Sequence, residues 1–199
     1  MHWTIPFLST LLLSILVRAN VANNSCSSAA PTLPKPIAFK DTPKLFANAA
    51  SRQSADTVAQ ILNTLSLYPL SVDGKDFDSL SLVFTDDAIV NLSAPLGVAT
   101  PLSAIKTTIA QSLAPVDSQH AYGTQIVNIV DECRAQSISY FTASQFGRGN
   151  YAGQVLYSYA QYQDNLIKTP ANEWRIQTRN LVYMGPNIGN ISVFTPMTS

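Results

Sequence analysis

From His120 onward the chain reads as four long strand-like segments with no helical pattern between them, at about 120–130, 133–146, 153–168 and 173–184. Thr, Tyr, Val, Ile and Ser fill these stretches, the residues that pleated positions favour. Turn signals separate them: Asp131-Glu132, then Gly147-Arg148-Gly149-Asn150, then Thr169-Pro170-Ala171-Asn172. The half before His120 has the opposite character, with helical periodicity and only one short strand. Helices first and an antiparallel meander afterwards point to an α+β layer fold, not to an alternating βαβ one. The expected architecture is a curved antiparallel sheet wrapping about three N-terminal helices into a cone.

The helices are bounded by recognisable signals. Ser54 or Asp56 can cap an N-terminus, and Val58, Ile61, Leu62 and Leu65 follow with a helical period. Pro69 predicts a kink or an end near Tyr68. Asp73-Gly74-Lys75-Asp76 reads as a turn with a capping residue, followed by a short helix from Phe77 to Phe84 and a short strand from Ala88 to Leu92. Thr100-Pro101 reads as a cap followed by proline at the first helical position. The helix it opens carries Leu102, Ile105, Ile109 and Leu113 on one face, and Pro115 ends it.

Three regions divide the 199 residues: a signal peptide at 1–22, a Ser/Pro/Ala-rich tail at 23–50 and one domain at 51–199. Ile5 to Val17 is an apolar run of thirteen residues, short of the roughly twenty that span a bilayer. Small residues follow it, as a cleavage site requires. The reading is a secreted, extracellular protein without stable membrane insertion after cleavage. The 12 basic and 12 acidic residues nearly balance and do not cluster, which argues against a nucleic-acid partner. Cys26 and Cys133 can form one bridge in an oxidising compartment, or remain two thiols. Neither a CxxC nor an HExxH is present, so the residues give no support for a metal site. Asn23, Asn91 and Asn190 each begin an Asn-X-Ser glycosylation sequon.

Certain local words carry a resemblance. Asp73-Gly74-Lys75-Asp76-Phe77-Asp78-Ser79-Leu80, then Phe84-Thr85-Asp86-Asp87-Ala88, resembles the opening of SnoaL-like domains in the nuclear transport factor 2-like superfamily. Ser118-Gln119-His120 resembles the start of that family's first long strand. Tyr162-Gln163-Asp164-Asn165-Leu166, followed by Glu173-Trp174-Arg175-Ile176 and Arg179, resembles its ending. The likeness runs over about residues 54–185. It implies the cone fold, a pocket for a small hydrophobic, polyketide-like molecule, and chemistry without a cofactor. Scytalone dehydratase is one member, and on resemblance to it Asp73, His120 and Ser158 fall at functional positions. Val72 and Ala160 stand where a tyrosine and an asparagine are expected, and its second histidine has no counterpart. Fold alone does not give function.

Read on their own chemistry, Asp73 and His120 are the candidate catalytic pair. A carboxylate can fix an imidazole tautomer and raise its basicity, and the pair can then abstract a proton next to a carbonyl. Tyr68, Tyr122, Ser158 and Asn180 are the candidate ligand-binding residues. The plainer alternatives are that Asp73 is a turn or cap residue, His120 an unreactive strand-start histidine, and Ser158 ordinary packing. Arg179 reads as a structural partner of Asp164 or Glu173. Three functional classes follow: a lyase or isomerase, a small-molecule-binding module without chemistry, and a structural homodimer joined through the outer face of the sheet.

Overall fold

The computed structural model describes Cys26, residues 29–47, Ala49 and residues 54–195. Residues 1–22, expected to be a signal peptide, and Asn23 lie outside the described residues. Three helices, α1 (Thr42–Phe46), α2 (Ala55–Asp73) and α3 (Leu102–Leu113), accompany seven strands. The strands are β1 (Phe84–Asn91), β2 (Val98–Ala99), β3 (Val116–Ile129), β4 (Arg134–Gly147), β5 (Val155–Lys168), β6 (Trp174–Tyr183) and β7 (Ile188–Gly189). They form one sheet in the order β2-β1-β6-β5-β4-β3, with β7 pairing on β5. β3 to β6 are the expected antiparallel meander. β1 returns beside β6 in parallel, so the curved sheet of the α+β cone is mixed and not purely antiparallel as expected, because β1 precedes the helix α3 and the meander. No helix among the described residues is long and apolar enough to cross a membrane.

α2 begins where Ser54 accepts a hydrogen bond from the Thr57 amide. Ile61, Leu65, Tyr68 and Val72 are buried along one side of it, three and four residues apart as one helical face requires. Of the two outcomes expected at Pro69, an end does not occur, and the helix continues through it. The helix runs on to Asp73 because Ser71 and Val72 are buried beyond the proline, and the Gly74 amide closes the last turn on the Leu70 carbonyl. That packing outweighs the one backbone hydrogen bond the proline removes. It also carries Asp73 to the end of a rigid helix.

The turn after α2 is as expected, with the Asp76 carboxylate accepting from the Ser79 amide and hydroxyl; the short helix that follows is a 3-10 turn, Asp78–Leu82. α3 buries Leu102, Ile105, Ile109 and Leu113 as its pattern predicts. Its first turn is closed by the Pro101 carbonyl, which accepts from the Ala104 and Ile105 amides, and not by the Thr100 side chain. The core lies between these helices and the concave side of the sheet.

Two bulges decide which side chains enter the cone. On β3, Tyr122 pairs with Phe141 and Gln125 with Ser139, so Gly123 and Thr124 take the place of one residue. On β6, Ile176 pairs with Leu166 and Thr178 with Asn165, which leaves Gln177 as an extra residue. Strict alternation from Trp174 and Ile176 would turn Thr178 and Asn180 inward. The bulge reverses this and turns Arg179 inward instead.

The chain before α2 crosses the other side of the sheet. Cys26 is bonded to Cys133. Residues 29–37 run over β5 and β6, and Phe46 and Ala49 pack against Ile138 with Tyr140 beside them. The outer face that a dimer would use therefore carries a strap of the same chain.

Candidate functional site

Asp73 is the last residue of α2, where the helix dipole presents its negative end to the carboxylate. Three donors compensate. The Asp73 Oδ2 accepts from the His120 amide at 2.7 Å. Oδ1 accepts from the Ser118 hydroxyl at 2.8 Å and lies 2.7 Å from His120 Nδ1. Burial pushes the Asp73 pKa up, but the hydrogen bonds and charge of His120 and the Ser118 hydroxyl outweigh it and hold the pKa below the usual carboxylate range. An ionised Asp73 fixes the imidazole with its proton on Nδ1, which leaves the Nε2 lone pair as the basic position. The His120 side chain is 7 % exposed and that of Asp73 23 %, so the pair sits near an opening of the cone.

Aromatic rings surround the imidazole. Tyr68 meets His120 edge-on at 6.2 Å, and Phe141 lies 5.7 Å from it on the other side. Phe141 stacks on Tyr162 at 4.2 Å with the planes 13° apart. Tyr122 borders both, at 6.3 and 6.2 Å. Burial raises the pKa of Tyr68, Tyr122 and Tyr162. They stay neutral phenols near pH 7, with O–H groups able to donate.

Deeper in the cone, Arg179 lies over the faces of Tyr68 and Tyr162, at 4.3 and 4.0 Å from their ring centres. Its Nε and Nη2 donate to Asp164 Oδ1 and Oδ2 at 2.7 and 2.9 Å, and neither side chain is exposed. Burial raises the Asp164 pKa against the opposing pull of Arg179. The Arg179 pKa is raised because burial is outweighed by Asp164 and the neighbouring tyrosines. The guanidinium therefore keeps its charge. Its Nη1 and the buried Tyr122 hydroxyl meet no acceptor, and the guanidinium and that hydroxyl border each other. A buried donor without a partner costs about 1–3 kcal/mol, so these two groups are the polar points of an otherwise ring-packed interior.

The sequence-derived site residues separate cleanly. Asp73, His120, Tyr68 and Tyr122 converge in the cone. Ser158 is buried on the inner face, opposite Ala143, which is itself opposite His120; it lines the wall two strands from the imidazole. Asn180 does not belong to the pocket. It faces outward, donates to the Pro34 carbonyl at 3.0 Å and accepts from Asn91 at 3.1 Å, because the Gln177 bulge reverses its side. The same contact engages the Asn91 side-chain nitrogen, the atom to which a glycan would be attached, while its Oδ1 accepts from the Ser93 amide. Asn190 caps a short 3-10 turn through Ser192 and donates to Gln154. Sequence reasoning does not single out Arg179, Asp164, Tyr162 and Phe141 as site residues. For Arg179 it gives a cross-strand partner, Asp164 or Glu173; that partner is Asp164, while Glu173 pairs with Arg175.

Comparison with known proteins places this geometry in context. A family model described as the SnoaL-like domain matches residues 53–180. A search of curated protein sequences finds no match. Among solved structures, an aromatic ring hydroxylase candidate from Novosphingobium aromaticivorans superposes with a TM-score of 0.64 at 18% identity, covering 72% of this chain and 100% of the other. A hexachlorocyclohexane dehydrochlorinase, LinA type 2, superposes with a TM-score of 0.60 at 14% identity, covering 68% and 89%. A scytalone dehydratase candidate from Novosphingobium aromaticivorans gives 0.57 at 21% identity, covering 76% and 92%. At these identities the likeness establishes the fold.

Proposed function

We propose that this chain, which belongs to the SnoaL-like domain family, is a secreted, cofactor-independent lyase or isomerase that removes a proton next to a carbonyl in a small hydrophobic molecule. The observation that carries the reading is the Asp73–His120 pair, with Nδ1 held at 2.7 Å and Nε2 left as the base. His120 Nε2 takes the proton, and the electron pair moves onto the carbonyl oxygen. Arg179 Nη1 and the Tyr122 hydroxyl are the unpartnered donors that would receive that oxygen. Donors already fixed where negative charge develops stabilise it most, since nothing has to reorganise. The protonated imidazole then returns the proton to a different carbon, or to a leaving group. The dehydrochlorinase named among the structural relatives is an eliminating enzyme, which accords with this reaction class. Secretion is supported by the apolar leader and by the Cys26–Cys133 bond, which persists in oxidising compartments.

Solvent-deuterium exchange into a small enolisable aryl ketone tests the reading. The mature chain should exchange the α-hydrogen above the background rate, and His120→Ala and Asp73→Asn should each lose that excess. The ¹⁵N shifts of His120 should report an Nδ1–H tautomer. Exchange unaffected by His120→Ala would sink the proposal. Loss of all exchange in the parent chain would favour binding without chemistry, which the dense packing of Phe141, Tyr162, Tyr68 and Arg179 in the cone also accommodates.

A further inference from the structure

The strap on the outer face is held by side-chain amides in a way that depends on what it is made of. Residues 29–37 read AAPTLPKPI, with prolines at 31, 34 and 36. Proline fixes an extended backbone and supplies no N–H, so such a segment cannot continue a sheet and leaves its carbonyls in need of donors. Carboxamides on the sheet supply them. Gln177 Nε2 donates to the Ala29 carbonyl at 3.1 Å, and Asn180 Nδ2 donates to the Pro34 carbonyl at 3.0 Å. Gln163 reads both sides of one residue: its Oε1 accepts from the Ile37 amide at 2.7 Å, and its Nε2 donates to the Ile37 carbonyl at 2.8 Å. Gln161, the preceding outward residue on β5, is fully buried with neither amide atom hydrogen-bonded. A cavity of about 90 Å³ remains between Pro34, Ile37 and the sheet.

Recognition of extended proline-rich segments works in this manner elsewhere in proteins, through donors aimed at backbone carbonyls and a surface shaped for a stiff chain. We infer that the outer face of β5 and β6 is a docking surface for an extended proline-rich segment, that residues 29–37 occupy it in cis, and that the Cys26–Cys133 bond keeps them there. With the bond closed, the tethered strap competes at a high effective concentration and excludes the same segment offered in trans. With the bond open, the strap exchanges, and the segment of a second copy can take its place. The surface is on the opposite side of the sheet from His120, so it stands or falls separately from the proton-transfer chemistry.

The test uses the full chain and a fluorescent peptide spanning residues 29–41, followed by fluorescence anisotropy. The reduced chain should bind the peptide saturably, about tenfold or more tighter than the oxidised chain does. A peptide carrying Ile37→Pro, which lacks the N–H that Gln163 accepts, should bind about fivefold or more weaker. Full-length Ile37→Pro, reduced, should bind the natural peptide more tightly than the reduced parent, because its own strap competes less well. The inference is overturned by absence of binding to both reduced chains, by equal binding to the oxidised and reduced parent, or by a proline peptide that binds as well as the natural one. It is overturned equally if reduction collapses the near-ultraviolet signal of the cone's aromatic residues, since the bond would then hold the fold and not the strap.

Discussion

β5 contributes to two different chemistries with alternate residues. Tyr162 and Asp164 face the cone, where a ring stack and a fully buried ion pair meet. Gln161 and Gln163 face the other way, where Gln163 holds the strap through its neutral amide. The inner face concentrates charge in a space where it is poorly screened, so each group depends strongly on its partner. The outer face uses groups that are both donor and acceptor and carry no charge, so its contacts are individually weaker and can be exchanged. The difference teaches that one strand can support a rigid site on one side and a replaceable contact on the other.

Breaking the inner face should therefore cost more. Asp164→Ala leaves the Arg179 guanidinium buried without its carboxylate, and should lower unfolding free energy by about 3–5 kcal/mol, measurable by urea titration. A loss under 1 kcal/mol would mean that Arg179 finds another partner or water. Phe141→Ala, which removes one half of the Phe141–Tyr162 stack, should cost about 3–5 kcal/mol in the same titration, with any shortfall reporting collapse of the cone around the missing ring. On the outer face, Gln163→Ala removes the two hydrogen bonds to Ile37 and should cost about 1–2 kcal/mol. Hydrogen exchange at the Ile37 amide should accelerate while that of the β4 and β5 amides stays unchanged; acceleration throughout the sheet would deny that the two faces are separable.

The smallest effect is a pH dependence. The folded pKa of Asp73 is lowered, so its contribution to stability is present above the unfolded value of about 3.9 and is lost as pH falls through the lower folded value. Asp73→Asn should accordingly flatten the fall in stability below about pH 4. An unchanged acid limb would place the sensitivity in another carboxylate.

Much of the fold could be read from the chain because its periodicities are strong. The four long strands and the buried face of α3 lie within a few residues of their expected spans. The Asp73–His120 pair is legible through the resemblance to SnoaL-like domains, since the local signals place the helix end at Tyr68 and the strand start at His120, while α2 runs to Asp73 and β3 starts at Val116. What escaped had two physical causes. Pro69 is a local breaker, and burial of Ser71 and Val72 beyond it is a tertiary fact. The single extra residue at Gln177 leaves no signature in composition or alternation. It accounts for two placements together: Asn180, a candidate for the pocket, faces outward, and Arg179 pairs with Asp164 across the strands as expected but does so on the inner face.

The strap joins residues far apart along the chain: 126 positions separate Ile37 from Gln163, and 146 separate Pro34 from Asn180. During vectorial synthesis the strap is made well before the strands that will receive it, and domains generally assemble as units only once their later elements are available. Cys26 likewise precedes its partner by 107 residues. The segment made early is therefore seated late, and the outer amide row is completed only after β6 has joined the sheet. Until then a nascent chain presents both a free proline-rich segment and an unpaired thiol.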